Sequence, residues 1–285
     1  MAFKPGFDQS PAFNDAGRNA WSAGSKQQQS GWGQTPQQSA GMTPEQLQYM
    51  YDRPAANTVD TDRMSYEDTI VKTLMAFGVL VVGAVAGWNL PPIFWIAGAV
   101  IGFVLALVNT FKKKPSAGLV LAYAFFEGLF VGGISGYYNS AFEGIVTQAV
   151  FGTLGVFFVT LLLFRSGKVR ATPKATKFFL VAIVGYMAFS LVNLVLMWTG
   201  VTNTAFGLLG VTVFGIPLGV VIGIFVVIMA AYSLILDFDQ IKTGVQRGAP
   251  RIYGWTAAFG LIVTLVWLYL EILRILAIIA STSRN

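Results

Sequence analysis

The chain has 285 residues, of which 55% are hydrophobic and 11% charged, with a mean hydropathy of +0.63. Soluble domains carry about 25% charged residues, so the composition excludes an ordinary soluble domain and points to a membrane protein. The net charge of +6 suits contact with anionic lipid and calls for no nucleic acid. The absence of cysteine and histidine excludes disulfides, thiolate nucleophiles, serine–histidine dyads and the usual zinc sites.

Residues 1–64 are polar and of low complexity, with Gln27-Gln28-Gln29, Gln37-Gln38 and much Gly, Ser, Pro and Asn. They read as a disordered cytoplasmic tail or as a docking segment, and lack the pattern of a signal peptide. Thr43–Tyr51 could form a short helix, with Thr43 as its N-cap and Pro44 at its first position. The membrane domain, residues 65–285, opens at Ser65-Tyr66-Glu67-Asp68, a helix start with acids in its first turn.

Seven apolar stretches follow: Asp68–Trp88, Pro92–Phe111, Ala117–Tyr138, Gly144–Phe164, Ala175–Thr199, Ile216–Asp237 and Tyr253–Ala280. Each is about 20 residues or more, enough at 1.5 Å per residue to cross a ~30 Å hydrocarbon core. In lipid the backbone must satisfy its own hydrogen bonds, so each is expected to be helical. The fold class is therefore an all-α membrane protein, a seven-transmembrane-helix bundle. The first, third and fifth loops carry almost no charge. The second holds Lys112-Lys113-Lys114; the fourth Arg165, Lys168, Arg170, Lys174 and Lys177; the sixth Lys242, Arg247 and Arg251. This alternation predicts a cytoplasmic N-terminus and a C-terminal tail (Ser281–Asn285) outside. Gly83/Gly87, Gly98/Gly102, Gly128/Gly132 and Gly219/Gly223 recur at four-residue spacing, as in closely packed membrane helices. The fifth loop, uncharged and apolar, reads as a surface-lying or partly re-entrant segment.

Ionisable groups within such stretches are costly and mark candidate sites. Glu127, about ten residues from either end of its stretch, is the deepest charge. It reads as a proton or cation site, or as a neutral acid bonded to a neighbouring helix. Asp237 and Asp239 stand near 200° apart on a helix, so only one can face inward, and Asp237 is the expected one. Asp239 has an available partner in Lys242 at i,i+3. Glu271 and Arg274 can pair at i,i+3; alternatively Arg274 snorkels outward or pairs across helices, for example with Glu127. Ser233, Thr264, Asn109 and Asn193 could extend a polar path. Oxygen ligands are too few for a tight calcium cage, which leaves a transient permeation site.

Ala124-Phe125-Phe126-Glu127-Gly128, Leu236-Asp237-Phe238-Asp239-Gln240-Ile241 and Leu268-Tyr269-Leu270-Glu271-Ile272-Leu273-Arg274 together resemble the Bax inhibitor family in its bacterial branch, over about Ser65–Ser281. The resemblance implies a bundle with one central helix, a proton-sensitive calcium leak, and regulatory contacts with partners such as a membrane protease. It implies that Asp237 belongs to a pH-sensitive gate and that Arg274 pairs with an acid on another helix. The family's second gate aspartate falls at Thr264 here. The second member of a coupled pair is then Asp239, Glu127 or absent. On depth, Asp237 is expected near the cytoplasmic face and Glu127 near mid-membrane, so direct contact is not expected.

Two functions follow as expectations. One is a pH-sensitive calcium or other cation leak, or a proton-linked transporter; the other is a non-transporting regulator tethered by its tail to a membrane complex. An intramembrane enzyme is not expected: histidine is missing, and so is the Gly-x-Gly-Asp run of aspartyl intramembrane proteases. No cofactor is expected, and a bacterial inner membrane is the expected location.

Overall fold

The computed structural model describes residues 62–202 and 206–283. The tail features read from residues 1–61, the helix at Thr43–Tyr51 included, lie outside the described residues. Seven helices are long and apolar enough to cross a membrane. They are α1 (Tyr66–Asn89), α2 (Pro92–Phe111), α3 (Ala117–Ala141), α4 (Ile145–Arg165), α5 (Pro173–Trp198), α6 (Leu218–Gln246) and α7 (Gly254–Thr282).

Local chemistry sets their ends. Ser65 caps α1, its hydroxyl accepting from the Asp68 amide at 3.1 Å, and α1 stops before Pro91-Pro92. Pro92 and Pro173 open α2 and α5 at positions where a missing N–H costs nothing, and Thr172 caps α5. Gly144, at φ 80°, supplies the left-handed turn into α4 that a side chain would resist.

One boundary departs from the sequence reading. The sixth apolar stretch ends at Asp237, but α6 continues nine residues further, to Gln246. Phe238, Ile241 and Gly244 stay buried at three-residue spacing in this extension, so one face still packs while the other turns polar. Loss of apolar composition marks the edge of the hydrophobic span, not the end of the helix.

The bundle is built around α7, which packs against α1, α3, α4 and α6. Its inward face includes Leu261, Ile262, Leu268, Leu273 and Ile278, all buried. The other helices present large apolar side chains outward, as in Val82 and Val85 of α1, Phe103 of α2 and Phe151 of α4. With no water in the bilayer to avoid, such a surface is the one lipid wets.

The tightest pairing is α1 with α3, and α2 packs on the other side of α3. Glycines make it possible. A Cβ at Gly83 would overlap the Phe125 carbonyl oxygen, one at Gly87 that of Leu129, and one at Gly132 that of Ala84. The two backbones therefore touch directly. The glycines at four-residue spacing on α1 and α3 thus act inside one chain.

At the side of the basic loops, the segment before α1 pairs with the α6–α7 loop. The Met64 amide donates to the Ala249 carbonyl at 2.7 Å, and the Arg251 amide to the Asp62 carbonyl at 2.9 Å. On the opposite side the α5–α6 connection folds into a 3₁₀ turn (Gly207–Gly210) and a two-stranded hairpin, β1 (Thr212–Val213) and β2 (Ile216–Pro217). Asn193 pins the turn: its side-chain oxygen accepts from the Leu208 amide at 2.7 Å.

Candidate functional site

Asp237 projects from α6 toward α7. Its Oδ2 accepts a hydrogen bond from the Thr264 hydroxyl at 2.7 Å, and the Thr264 and Ser233 hydroxyls lie 3.3 Å apart. Gly260, one turn before Thr264, gives the carboxylate room: a Cβ there would stand 3.1 Å from Asp237 Oδ1. No Lys or Arg side chain pairs with Asp237 among the described residues. The position at which the resemblance puts a second gate aspartate is thus occupied by the hydroxyl that bonds the first. Asp239 and Glu127 do not pair with Asp237. An acid–hydroxyl pair stands where an acid–acid pair was considered, and only one of its members is a carboxyl group.

Glu127 lies at the contact of α3 with α2. A Cβ on Gly102 of α2 would stand 2.9 Å from its Oε2. It forms neither a hydrogen bond nor an ion pair among the described residues. Asp237 is nine residues before the end of α6 and Glu127 ten after the start of α3, both on the side of the basic loops. At 1.5 Å per residue each is about 14 Å from its helix end. They face different helices, α2 for Glu127 and α7 for Asp237, and make no contact, as expected.

Glu271 and Arg274 meet on one face of α7. Arg274 Nη2 donates to Glu271 Oε1, and Glu271 is 4% exposed. The resemblance had implied an acid on another helix for Arg274; the acid is on its own. The interhelical partner is Tyr186 of α5, whose hydroxyl donates to Glu271 Oε2 at 3.0 Å and accepts from Arg274 Nη1 at 2.9 Å. The alternative contact between Arg274 and Glu127 is not made. Asp239 makes no ion pair with Lys242, the partner its spacing offered.

A second charged cluster was not foreseen. Asp68 accepts from Lys72 Nζ at 2.5 Å and from Arg251 Nε at 2.8 Å, while Lys72 also donates to the Arg251 carbonyl at 2.6 Å. Lys72 is 6% exposed and lies over the Trp255 ring, 5.8 Å from its centroid. The signal was present, since Lys72 falls i,i+4 from Asp68 inside the first apolar stretch. Of the other polar groups, Asn109 bonds the Leu105 and Leu119 carbonyls, tying α2 to α3. Ser135 meets the Tyr269 hydroxyl at 2.6 Å between α3 and α7. No group of three acidic side chains among the described residues could hold a metal ion.

Among the described residues, the Asp237 and Glu127 carboxylates thus lack a cation, Glu271–Arg274–Tyr186 is balanced in charge, and Asp68–Lys72–Arg251 sets one acid against two cations. A family model described as Bax inhibitor 1 like matches residues 10–281. The chain belongs to the Bax inhibitor 1-like family. The match runs back across most of the tail, which the sequence resemblance had left outside. No curated protein matches the chain. Membership and seven apolar helices together make it a multi-pass membrane protein of this family.

Proposed function

We propose that this family member is a proton-responsive leak for calcium or another cation, or a proton-linked transporter, with Asp237 at its gate and Glu127 as a second acidic station. The observation that carries the reading is the environment of Asp237. Its carboxylate sits between α6 and α7, the latter at the centre of the bundle, with hydroxyl groups beside it and no fixed cation. An ionised carboxylate so placed is costly unless something positive compensates it. A proton or a passing cation can do so, and the two compete for the same oxygens. Protonation therefore changes both the charge on the path and the hydrogen bonding that holds α6 to α7, which is the condition for biasing closed against open. Glu271, already neutralised by Arg274, serves as a lock and not as a station. The positive side of the bundle is taken to face the cytoplasm of a bacterial cell, with the inner membrane as its location. No cofactor and no enzymatic step enter the reading.

The test is calcium flux into liposomes holding the purified chain, over a range of pH. The parent is expected to give flux above empty liposomes that changes with acidity. Asp237→Asn is expected to abolish the pH dependence, and Glu127→Gln to lower flux while leaving a pH response. Flux equal to that of empty liposomes at every pH rejects the proposal.

A second reading has its own support. The segment before α1 is hydrogen-bonded through Asp62 and Met64 to the α6–α7 loop, which follows the helix that carries Asp237. A regulator that binds a membrane protease through its tail would use this attachment. Deletion of residues 1–64 that abolishes partner pull-down without altering flux favours regulation.

A further inference from the structure

The α5–α6 hairpin holds a conformation that its sequence resists. Its two turn residues, Phe214 and Gly215, both have positive φ, 52° and 81°. Glycine takes that region freely, but for a bulky aromatic residue it is strained. Phe214 is nonetheless at the tip and fully exposed, and Val211, Val213 and Ile216 beside it are exposed as well. Core packing does not account for the strain. The neighbouring 3₁₀ turn supplies the packing instead, with Leu209 buried against Gly219 of α6, and Pro217 anchors the hairpin base. The hairpin is held from below and offers an apolar tip outward.

From this geometry we infer that the hairpin is an interfacial anchor, with Phe214 seated at the headgroup–acyl boundary of the lipid leaflet at which α7 ends. Three observations select lipid as the occupant. Exposed apolar side chains also precede the hairpin in the chain: Trp198, the final residue of α5, is 90% exposed, and Val201 after it is exposed. Aromatic side chains of this kind concentrate at the membrane–water interface. The connection from Gly200 to Gly215 carries no charge to hold it in water or to recognise a charged partner. The patch comprises a handful of side chains, whereas a specific protein interface uses roughly 20–30 residues a side. Strain spent on an outward aromatic is what an anchor requires, because the ring gains only where lipid receives it.

The chain contains no cysteine, so one introduced thiol labels one site. Val213→Cys keeps Phe214 in place and can carry an environment-sensitive fluorophore on the full chain in phospholipid liposomes. Ser166→Cys, in the exposed α4–α5 loop, is the aqueous reference. The label at 213 is expected to emit to the blue of the reference, to resist iodide several-fold better, and to be quenched by lipids bearing a nitroxide near the headgroup. In the Val213→Cys/Phe214→Asn variant, whose Asn accepts positive φ, iodide access is expected to rise several-fold toward the reference. A label at 213 as open to iodide as the reference, and indifferent to nitroxide lipid, overturns the inference. Shielding from both quenchers overturns it too, since it assigns the tip to a protein contact such as a second copy.

Discussion

A carboxylate whose hydrogen-bond donor is a hydroxyl group behaves differently from one held by a guanidinium, and this chain contains both kinds. Asp237 rests on Thr264, whereas Glu271 rests on Arg274 and Tyr186. Removing one member of a desolvated ion pair strands the other, at a cost of about 3–5 kcal/mol, while replacing both is often nearly neutral. Arg274→Met is therefore expected to lower the thermal midpoint in detergent strongly, and Glu271→Gln/Arg274→Met to regain most of the loss. Equal melting of the single and double variants would show that the pair is not coupled. Thr264→Val is expected to cost about 1–3 kcal/mol, the penalty for a buried acceptor left short of a donor. The same variant should alter the pH response of flux, because the bond that protonation acts upon is gone. Individual acids were legible in the sequence because charge in an apolar run is visible one residue at a time. Their partners were not. Finding Thr264 under Asp237 requires the relative rotation of two helices, and Tyr186 passes unnoticed because tyrosine reads as apolar in a hydropathy window. Lys72 was overlooked for another reason: near a helix start it resembles a solvated residue, although Asp68, Arg251 and Trp255 enclose it.

Among elements, α1 and α3 are joined backbone to backbone, and the joint has no flexible part. The carbonyl oxygens facing Gly83, Gly87 and Gly132 belong to helical main chain, so they cannot swing aside for a methyl group. Overpacking of this kind costs about 1–3 kcal/mol, more when the obstacle is rigid. Gly132→Ala is expected at or above the upper end of that range, read as a lower melting temperature and reduced recovery from membranes. Gly78 and Gly185 meet nothing within 4 Å and are the controls; alanine there is expected to be neutral or mildly stabilising. The four-residue glycine spacing was visible in the sequence, but its partner helix was not, since spacing names a face and not what covers it. The length of α6 was misread because hydropathy falls at Asp237 while Phe238, Ile241 and Gly244 keep one face buried. The hairpin also escaped notice: Val213-Phe214-Gly215-Ile216 lacks the Asn-Gly or Asp-Gly pair that announces such turns.

For the whole molecule, seven spans and alternating loop charge were readable because both are sums over many residues, insensitive to any single contact. The orientation they imply has a direct check in a chain with no cysteine of its own. Single cysteines at Lys113, Gly167 and Arg247 are expected to react with an impermeant maleimide only from the cytoplasmic face. Those at Asn89, Ser140 and Thr202 should react only from the other. Labelling of the first set from outside intact cells reverses the topology. The basic loops would then contact the outer leaflet, where the attraction of anionic lipid for Lys and Arg is weaker.

The central place of α7 bears on how the molecule is made. Six helices emerge before it, and four of them, α1, α3, α4 and α6, have it as a shared neighbour. The first three can associate early, since α1 and α2 both pack on α3 and are close to it in sequence. α4 and α6 also pack on each other, but neither completes its packing until α7 leaves the translocon and fills the axle position. A nascent chain that stalls before Gly254 is thus expected to lack the surface on which α1, α3, α4 and α6 meet, and to be degraded faster than the complete bundle.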